Sequence, residues 1–437
     1  MKLSFYNHEE NNGDNYILYN CQSDELIFLN EDLRDIWIAH SASNVDEIEK
    51  VHPVFFDYLT KKGFVVPESL DEQADFLTKL KNEDNREDSF SIIVNPTLDC
   101  NMRCWYCYEK HIANSYMSKE VMDNILKLAK AKVANPKLKT LVISLFGGEP
   151  LLAFDECVFP LLLELDSLCI RANKSFVVSF TSNSFLVNED IISKLSTLHL
   201  SQPINWQITL DGGRKVHNKT RHTDTSHNTY DTIIKNIHTI LSAHMNVLVR
   251  LNYRSKSILS FLDVIDSFRD IVPKYKNKLH FCFQQIWQDI CQNSDAESFN
   301  KEFLNVKKAF EEAGLALKSN VDVPMRCYAD KPNCVVVNYD GKIFKCTAQD
   351  FRKELSEGVL DKNGVINYNT IYHERMSSKY ANKTCLSCKI YPLCFGGCSQ
   401  KLLNNHDKCS RNLDNNGITE VIRQRILFLT GNINKQK

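Results

Sequence analysis

Sixteen cysteines in a chain of 437 residues constrain it more than any other feature. Three of them, Cys100, Cys104 and Cys107, fall within eight residues, and eight more lie between 327 and 409. The first sixteen residues hold no apolar h-region, so the expectation is a cytoplasmic protein, where thiols are seldom spent on disulfides. Cysteines gathered at short spacing in a reducing compartment read as metal or iron–sulfur ligands. Cys21, Cys157, Cys169, Cys282 and Cys291 stand in no motif and are expected to be buried or incidental thiols.

Composition narrows the partners. Lys and Arg number 53 against 54 Asp and Glu, a balance that argues against a nucleic-acid binder working by charge. No run approaches the ~18 apolar residues that a membrane span needs. With 43% hydrophobic and 24% charged residues, the chain has the make-up of a globular protein of about three domains.

The first 70 residues combine short strands, at Tyr16–Tyr19, Glu25–Leu29 and Phe64–Val66, with helical spacing at Leu33–Ile38 and Phe55–Lys61. That mixture predicts a winged-helix-like module or an extension covering an edge of the main domain. Asp71–Asp88 carries ten charges in eighteen residues and reads as a solvated helix or a linker, with a domain boundary near it. From residue 90, strand-like runs at 91–94, 140–145, 176–180, 206–210, 247–251 and 279–283 alternate with helical runs such as Lys119–Val133, Glu189–Leu195 and Tyr230–Ala243. Six such units predict an α/β fold, a partial (β/α)6 barrel, with chemistry at the carboxyl ends of the strands. Beyond about 316 the alternation fades into cysteine-rich sequence with a hairpin around Tyr339-Asp-Gly341, a region that bound metal would staple.

Cys100, Cys104 and Cys107 follow the first strand with the spacing C-x3-C-x2-C and no fourth cysteine nearby. Zinc sites close with four ligands, whereas three thiolates suit a cubane with one iron left open. Phe146-Gly147-Gly148-Glu149-Pro150 ends the second strand, where glycines let a ligand approach the backbone and a carboxylate can hold an ammonium. Taken alone, this stretch also fits an ordinary turn.

Residues 90–310 thus resemble the radical S-adenosylmethionine (SAM) superfamily. The resemblance implies a [4Fe–4S] cluster on the three cysteines, whose open iron takes the amine and carboxylate of SAM before cleavage to a 5′-deoxyadenosyl radical. By the same resemblance Tyr106 packs by the adenine and the Gly147-Gly148-Glu149 turn holds the amino group. Thr181-Ser182-Asn183 matches a ribose-contacting position, although Ser184 replaces the usual glycine. Asp211-Gly212, with His217 and Arg221, resembles a stretch of peptide-modifying members, in which Thr209 and Asn218 are departures. Arg250 and Asn252 are candidates for the SAM carboxylate.

Gly341-x4-Cys346, Cys385-x2-Cys388-x5-Cys394-x3-Cys398 and Cys409 resemble the SPASM domain, a module with two auxiliary [4Fe–4S] clusters. Eight thiolates could also close two zinc sites, the lesser alternative. The resemblance assigns Cys327, Cys334, Cys346 and Cys398 to the first auxiliary cluster, and Cys385, Cys388, Cys394 and Cys409 to the second. The whole is identified as a radical SAM/SPASM peptide maturase with three clusters. It is expected to bind a precursor peptide through its leader at the 1–70 module, 71–89 being a linker, 90–315 the barrel and 316–437 the SPASM domain. A flavodoxin- or ferredoxin-type donor, and no nucleic acid or membrane, complete the expected partners. No catalytic acid or base is assigned. The product is expected to be a thioether, carbon–carbon or related crosslink. An anaerobic sulfatase-maturing enzyme is an alternative, but there an Asp follows the G-x4-C cysteine, and here Thr347 does. A catalytically silent iron–sulfur protein is the other.

Overall fold

The structure, a computed structural model, describes residues 1–11, 16–288, 296–318, 326–403 and 407–435. Cys291 lies outside the described residues. Two compact units result: Met1–Asn85 with Val321–Lys331 and His373–Lys437, and Arg86–Asn320 with Pro332–Tyr372.

The first unit opens with β1 (Lys2–Leu3), β2 (Asn7–Asn11), β3 (Tyr16–Asn20) and β4 (Glu25–Leu29). Helices α1 (Glu31–His40), α2 (Glu47–Val51) and α3 (Pro53–Lys61), strand β5 (Val65–Val66) and helix α4 (Glu72–Asp84) follow. Strands β2, β3 and β4 form an antiparallel meander, and β1 pairs with β5. Helix starts are set locally: the side chains of Asn30, His52 and Asp71 cap α1, α3 and α4 by accepting from Leu33, Phe55 and Ala74 N–H, and Pro53 sits at the first position of α3. Trp37, Ile48, Phe55, Leu59 and Phe64 form the core beneath the meander. The charged run is helical around a narrow apolar stripe, Phe76 and Leu80 four residues apart, and α4 buries Glu72 and Asp84 on the same face. Buried Asp84 is paired, receiving Arg326 at 2.8 Å and the Tyr380 hydroxyl at 2.7 Å. A further core joins Tyr6, Ile17 and Tyr19 to Ile390, Ile422 and Ile426, so the two ends of the chain fold as one body.

The second unit is built on a sheet of ten strands. The parallel strands are β6 (Ser89–Val94), β7 (Thr140–Leu145), β8 (Ser175–Ser182), β9 (Asn205–Leu210), β10 (Asn246–Tyr253) and β11 (Leu279–Gln285), adjacent in chain order. Helices Lys119–Val133, Phe159–Ala172, Glu189–Leu195 and Tyr230–Ser242 lie between them in the chain. The expected six β/α units are therefore present, with boundaries shifted by a residue or two. The hairpin expected near Tyr339 also forms, from β12 (Cys334–Val337) and β13 (Lys342–Phe344), and continues into β14 (Gly358–Leu360) and β15 (Ile366–Tyr368). β12 pairs in parallel with β6, so this part of the cysteine-rich region belongs to the barrel sheet. Residues 316–437 are thus divided between the two units.

Strand alternation separates two faces. In β8, Phe176, Val178 and Phe180 are buried in the apolar core, while Ser179 and Thr181 take the opposite face. Ser144 and Ser179 meet across β7 and β8 at 2.8 Å on that second, polar face. Among the described residues no helix is long and apolar enough to cross a membrane.

The ring of Trp206, 1% exposed, stacks on Phe180 at 4.4 Å in the middle of this core. Trp206→Ala should cost about 3–5 kcal/mol of stability, read as a lower midpoint in urea unfolding followed by circular dichroism.

Candidate active site

The carboxyl ends of β6 to β11 surround one open cavity of about 160 Å³. Cys100, Cys104 and Cys107 line it from the loop after β6. That loop is held by its own short polar side chains. Asp99 N–H donates to Thr97 Oγ1 at 2.9 Å, and Asp99 Oδ1 accepts from Cys100 N–H at 2.8 Å. Arg103 N–H donates to the carbonyl of His222 at 2.9 Å. The thiols run from buried Cys100 to exposed Cys107, whose Sγ lies 3.4 Å from His111 Nε2. Burial pushes Cys107 up to about 11, with the neighbouring Glu109 adding to the effect, and raises Cys100 and Cys104 as well. Three thiols on one loop are suited to a cationic iron centre, which would take them as thiolates.

The turn after β7 closes onto this loop. Glu149 N–H donates to the carbonyl of Asp99 at 2.9 Å. Gly148, at φ +43°, lies so close that a Cβ there would come within 2.1 Å of Asp99 O. Only glycine allows that approach. Glu149 is fully buried, and its carboxylate accepts from Leu151 N–H at 3.1 Å, Ser182 Oγ at 2.8 Å and Asn183 N–H at 2.8 Å. Burial raises it to about 7 against the pull of those donors. Glu109 faces the cavity with Oε2 accepting from Gly148 N–H at 2.7 Å, and burial raises it likewise to about 7.

A polar cluster forms the opposite wall. The Tyr106 hydroxyl donates to Asp211 Oδ1 at 2.6 Å and accepts from Arg221 Nη2 at 2.8 Å and Asn252 Nδ2 at 3.0 Å. Arg221 Nε pairs with Asp211, and Arg250 Nε donates to Asn252 Oδ1 at 2.9 Å. Burial holds Asp211 above the usual carboxylate range even with Arg221 in contact. His217 sits behind this wall, buried, with Nδ1 accepting from Asp211 N–H at 3.3 Å and its ring edge-on to Tyr230.

Of the residues singled out from sequence, the three thiols, Tyr106, Gly147, Gly148, Ser182, Asn183, Arg250 and Asn252 meet at the cavity. Glu149 and Asp211 lie behind its wall, 0% and 3% exposed. Sequence reasoning missed Glu109, Gln207, Gln285 and Trp287, which also line it. The signal for Gln207 is strand periodicity, polar Gln207 and Thr209 alternating with apolar residues along β9, whereas Gln285 shares its parity with Phe281 and Phe283 and carries no such signal. Among the described thiols without a motif, Cys21, Cys157, Cys169 and Cys282 are all buried.

In the first unit, burial pushes Cys385 up to about 12, with the nearby thiols of Cys394, Cys388 and Cys409 adding. Cys398 similarly adds to the burial that raises Cys327. Cys334 and Cys346 belong to the second unit, Cys334 buried in β12. Among the described residues, no three His, Cys, Asp or Glu are gathered around a single-ion site.

Residues 94–254 match the model of the Radical SAM superfamily. A cysteine-type anaerobic sulfatase-maturating enzyme of Clostridium novyi is 22% identical over 347 residues, 71% of this chain and 88% of that protein. An uncharacterized protein of Synechocystis is 28% identical over 152 residues, 36% of its length. Among solved structures, anSMEcpe with bound AdoMet aligns over 79% of this chain and 94% of its own, at 18% identity and a TM-score of 0.58. SuiB of Streptococcus suis bound to S-adenosylmethionine aligns over 93% and 97%, at 16% identity and a TM-score of 0.53. Both proteins were also solved with peptides, anSMEcpe with Cp18Cys and SuiB with its precursor peptide SuiA. At these identities the likeness to the solved structures is one of fold.

Gly148→Ala should cost about 1–3 kcal/mol from backbone strain alone, and more from the clash with Asp99. Gly341, also at positive φ, has its nearest neighbour 3.6 Å from a built Cβ, so Gly341→Ala should cost less. Thermal unfolding of the two variants side by side checks that order.

Proposed function

We propose that this chain, which carries a radical SAM domain, modifies a ribosomally made precursor peptide. The observation that carries the reading is one cavity, at the carboxyl ends of six parallel strands, lined by three thiols on a single loop together with an acid and two guanidinium groups. SAM is a zwitterion with a sulfonium, and such a wall offers a partner of each sign. Cys100, Cys104 and Cys107 would hold the [4Fe–4S] cluster. Tyr106, the Gly147-Gly148 turn, Ser182 and Asn183 would bound the SAM site, with Arg250 and Asn252 facing its carboxylate. When bound, these cofactors supply a 5′-deoxyadenosyl radical able to take a hydrogen atom from carbon. The chain's own part is positioning: the Asp211–Arg221–Tyr106 network fixes one wall, and Glu149 ties the ends of β7 and β8 together.

Peptide as substrate is supported by the two similar folds solved with peptides. Leader binding fits the β2-β3-β4 meander, whose outer strands β2 and β4 have no second partner strand among the described residues. β4 presents exposed Phe28, on which an added strand could pack. Two auxiliary clusters would rest on Cys327, Cys334, Cys346 and Cys398, and on Cys385, Cys388, Cys394 and Cys409, with a flavodoxin- or ferredoxin-type reductant. A crosslink of thioether or carbon–carbon type is the product this reading implies.

A second reading, maturation of a sulfatase, is favoured by the Clostridium novyi relative. Against it, Thr347 follows Cys346, and Asp350 is engaged by Arg352 at 2.9 Å. Co-expression with candidate peptides, followed by mass spectrometry, separates the two readings. A precursor losing two hydrogens supports crosslinking, and a sulfatase peptide converted to formylglycine supports the other.

Three cubanes predict about 12 iron per chain after anaerobic reconstitution. Replacing Cys100, Cys104 and Cys107 together by Ala should remove roughly one third of it and abolish formation of 5′-deoxyadenosine from SAM. Zinc in place of iron would overturn the cluster assignment.

Deleting the first 70 residues would uncover Ile390, Ile422 and Ile426, so the leader site is better tested on its surface. Phe28→Glu should weaken binding of a full-length precursor by about tenfold, measured by fluorescence anisotropy. Unchanged affinity would leave the module as a structural cover.

A further inference from the structure

We propose that Lys379 and Asp330, a buried ion pair of the first unit, bias the two auxiliary clusters against each other. The ammonium favours reduction of the cluster on Cys385, Cys388, Cys394 and Cys409, and the carboxylate disfavours reduction of the cluster to which Cys327 and Cys398 belong. This inference rests on the reading of those cysteines as ligands of two [4Fe–4S] clusters, and adds two residues that ligate neither.

Lys379 and Asp330 are 3% and 5% exposed, and the ammonium pairs with Asp330 Oδ2. Burying both charges is costly unless further hydrogen bonds satisfy them. Those bonds are missing. Neither oxygen of Asp330 receives a hydrogen bond among the described residues. An ammonium has three donors, and among the described residues Asp330 is the one partner of this one. Its remaining N–H groups therefore stand without acceptors in the interior. The thiolate and sulfide sulfurs of an iron–sulfur cluster are acceptors of the kind it lacks, and hydrogen bonds to them raise the cluster's potential.

The chain places the pair between the two sets of thiols. Asp330 N–H donates to the carbonyl of Cys327 at 3.2 Å. On the other side, the carbonyl of Lys379 accepts from the Tyr391 hydroxyl at 2.9 Å, and Tyr391 N–H donates to the carbonyl of Cys388 at 3.1 Å. Tyr391 also shares a buried cluster with Cys385. The Lys379 side chain runs past Gly396, with Cγ 3.3 Å from a built Cβ, and Gly396 stands two residues from both Cys394 and Cys398. The two charges act unequally there. Burial raises the Cys327 thiol, Asp330 adds to the effect, and Lys379 opposes it less strongly. Burial and the neighbouring thiols raise Cys385, and Lys379 opposes them. A fixed charge acts on an added electron as it acts on a thiolate: a cation favours it and an anion disfavours it.

The test is an electron paramagnetic resonance titration with dithionite. It uses anaerobically reconstituted protein in which Cys100, Cys104 and Cys107 are replaced by Ala, so that only the auxiliary clusters report. The signal that Cys388→Ala perturbs identifies the cluster at Cys385. Lys379→Met should lower that cluster's midpoint by about 59 mV, a tenfold change in a one-electron equilibrium constant. Lys379→Arg should keep most of the parent value. Asp330→Asn should raise the midpoint of the other cluster. Opposite signs from the two halves of one pair are the signature of charge, because a purely structural tie broken from either side would shift the midpoints alike. Each single variant leaves a buried charge unpaired, so Lys379→Met combined with Asp330→Asn covers the case in which they do not fold. In that neutral variant the cluster at Cys385 should fall relative to the other by at least the same tenfold factor. Unchanged midpoints, shifts of one sign in both single variants, or an unchanged difference in the neutral variant would overturn the proposal. Absence of both auxiliary signals before any change at Lys379 or Asp330 would overturn the reading of two clusters itself.

Discussion

Parallel strands cannot be joined by hairpins, so each must hand the chain back along a crossover before the next begins. Every carboxyl end then falls on one side of the sheet. Here the register holds those ends level. Val94 lies beside Leu145, Leu145 beside Phe180, and Leu210 beside Leu251, which lies beside Phe283. The thiol loop after β6, the glycine turn after β7, Ser182 and Asn183 at the end of β8 and Asn252 in β10 meet for that reason. None of them is close to all the others in sequence. The apolar packing of Trp206 on Phe180 supports the chemistry indirectly, by keeping six strand ends in step.

Charge in the cavity wall is arranged by sharing. Arg221 and Asp211 would each be expensive to bury alone, and each is answered by the other. Tyr106 links the pair to Asn252, and Asn252 holds Arg250. One hydroxyl therefore connects both guanidinium groups to a single carboxylate. Such a network is costly to leave half-satisfied, which makes the wall stiff. Glu149 does the same work on the other side, drawing Leu151, Ser182 and Asn183 together. The wall is thus pre-shaped by hydrogen bonds that use backbone N–H groups as much as side chains.

Much of this was legible in the sequence. Lys119–Val133 is a helix over the expected span because Ser118 caps it and its apolar residues recur at helical spacing. The three thiols and the glycine turn were legible because their chemistry depends on residue type and short spacing alone. Glu109 was not legible, since its place depends on contact with Gly148, 39 residues away. The charged run from Asp71 gave two readings because charge density hides a narrow apolar stripe; Phe76 and Leu80 settle it only once their partners, Tyr391 among them, are in place. The pairing of β12 with β6 spans more than 240 residues, and nothing local in Cys334-Val-Val-Val337 names its partner.

That pairing answers a difficulty which a partial barrel creates for itself. An open parallel sheet leaves unpaired backbone groups along its first and last strands, and such edges invite other chains. β12 covers the β6 edge over four residues, and all four of its side chains are buried. Val335 and Val337 join the main barrel core, while Val336 packs with Leu98 and Phe344. A strand buried on both faces needs apolar side chains throughout, which explains the unbroken run of valines. The antiparallel strands β13 to β15 then carry the edge outward through progressively less buried residues. Leu98 precedes the thiol loop by two residues, so packing of the later segment against it braces the loop from behind. The strand that closes the sheet edge therefore also steadies the root of the site, and both effects follow from one register.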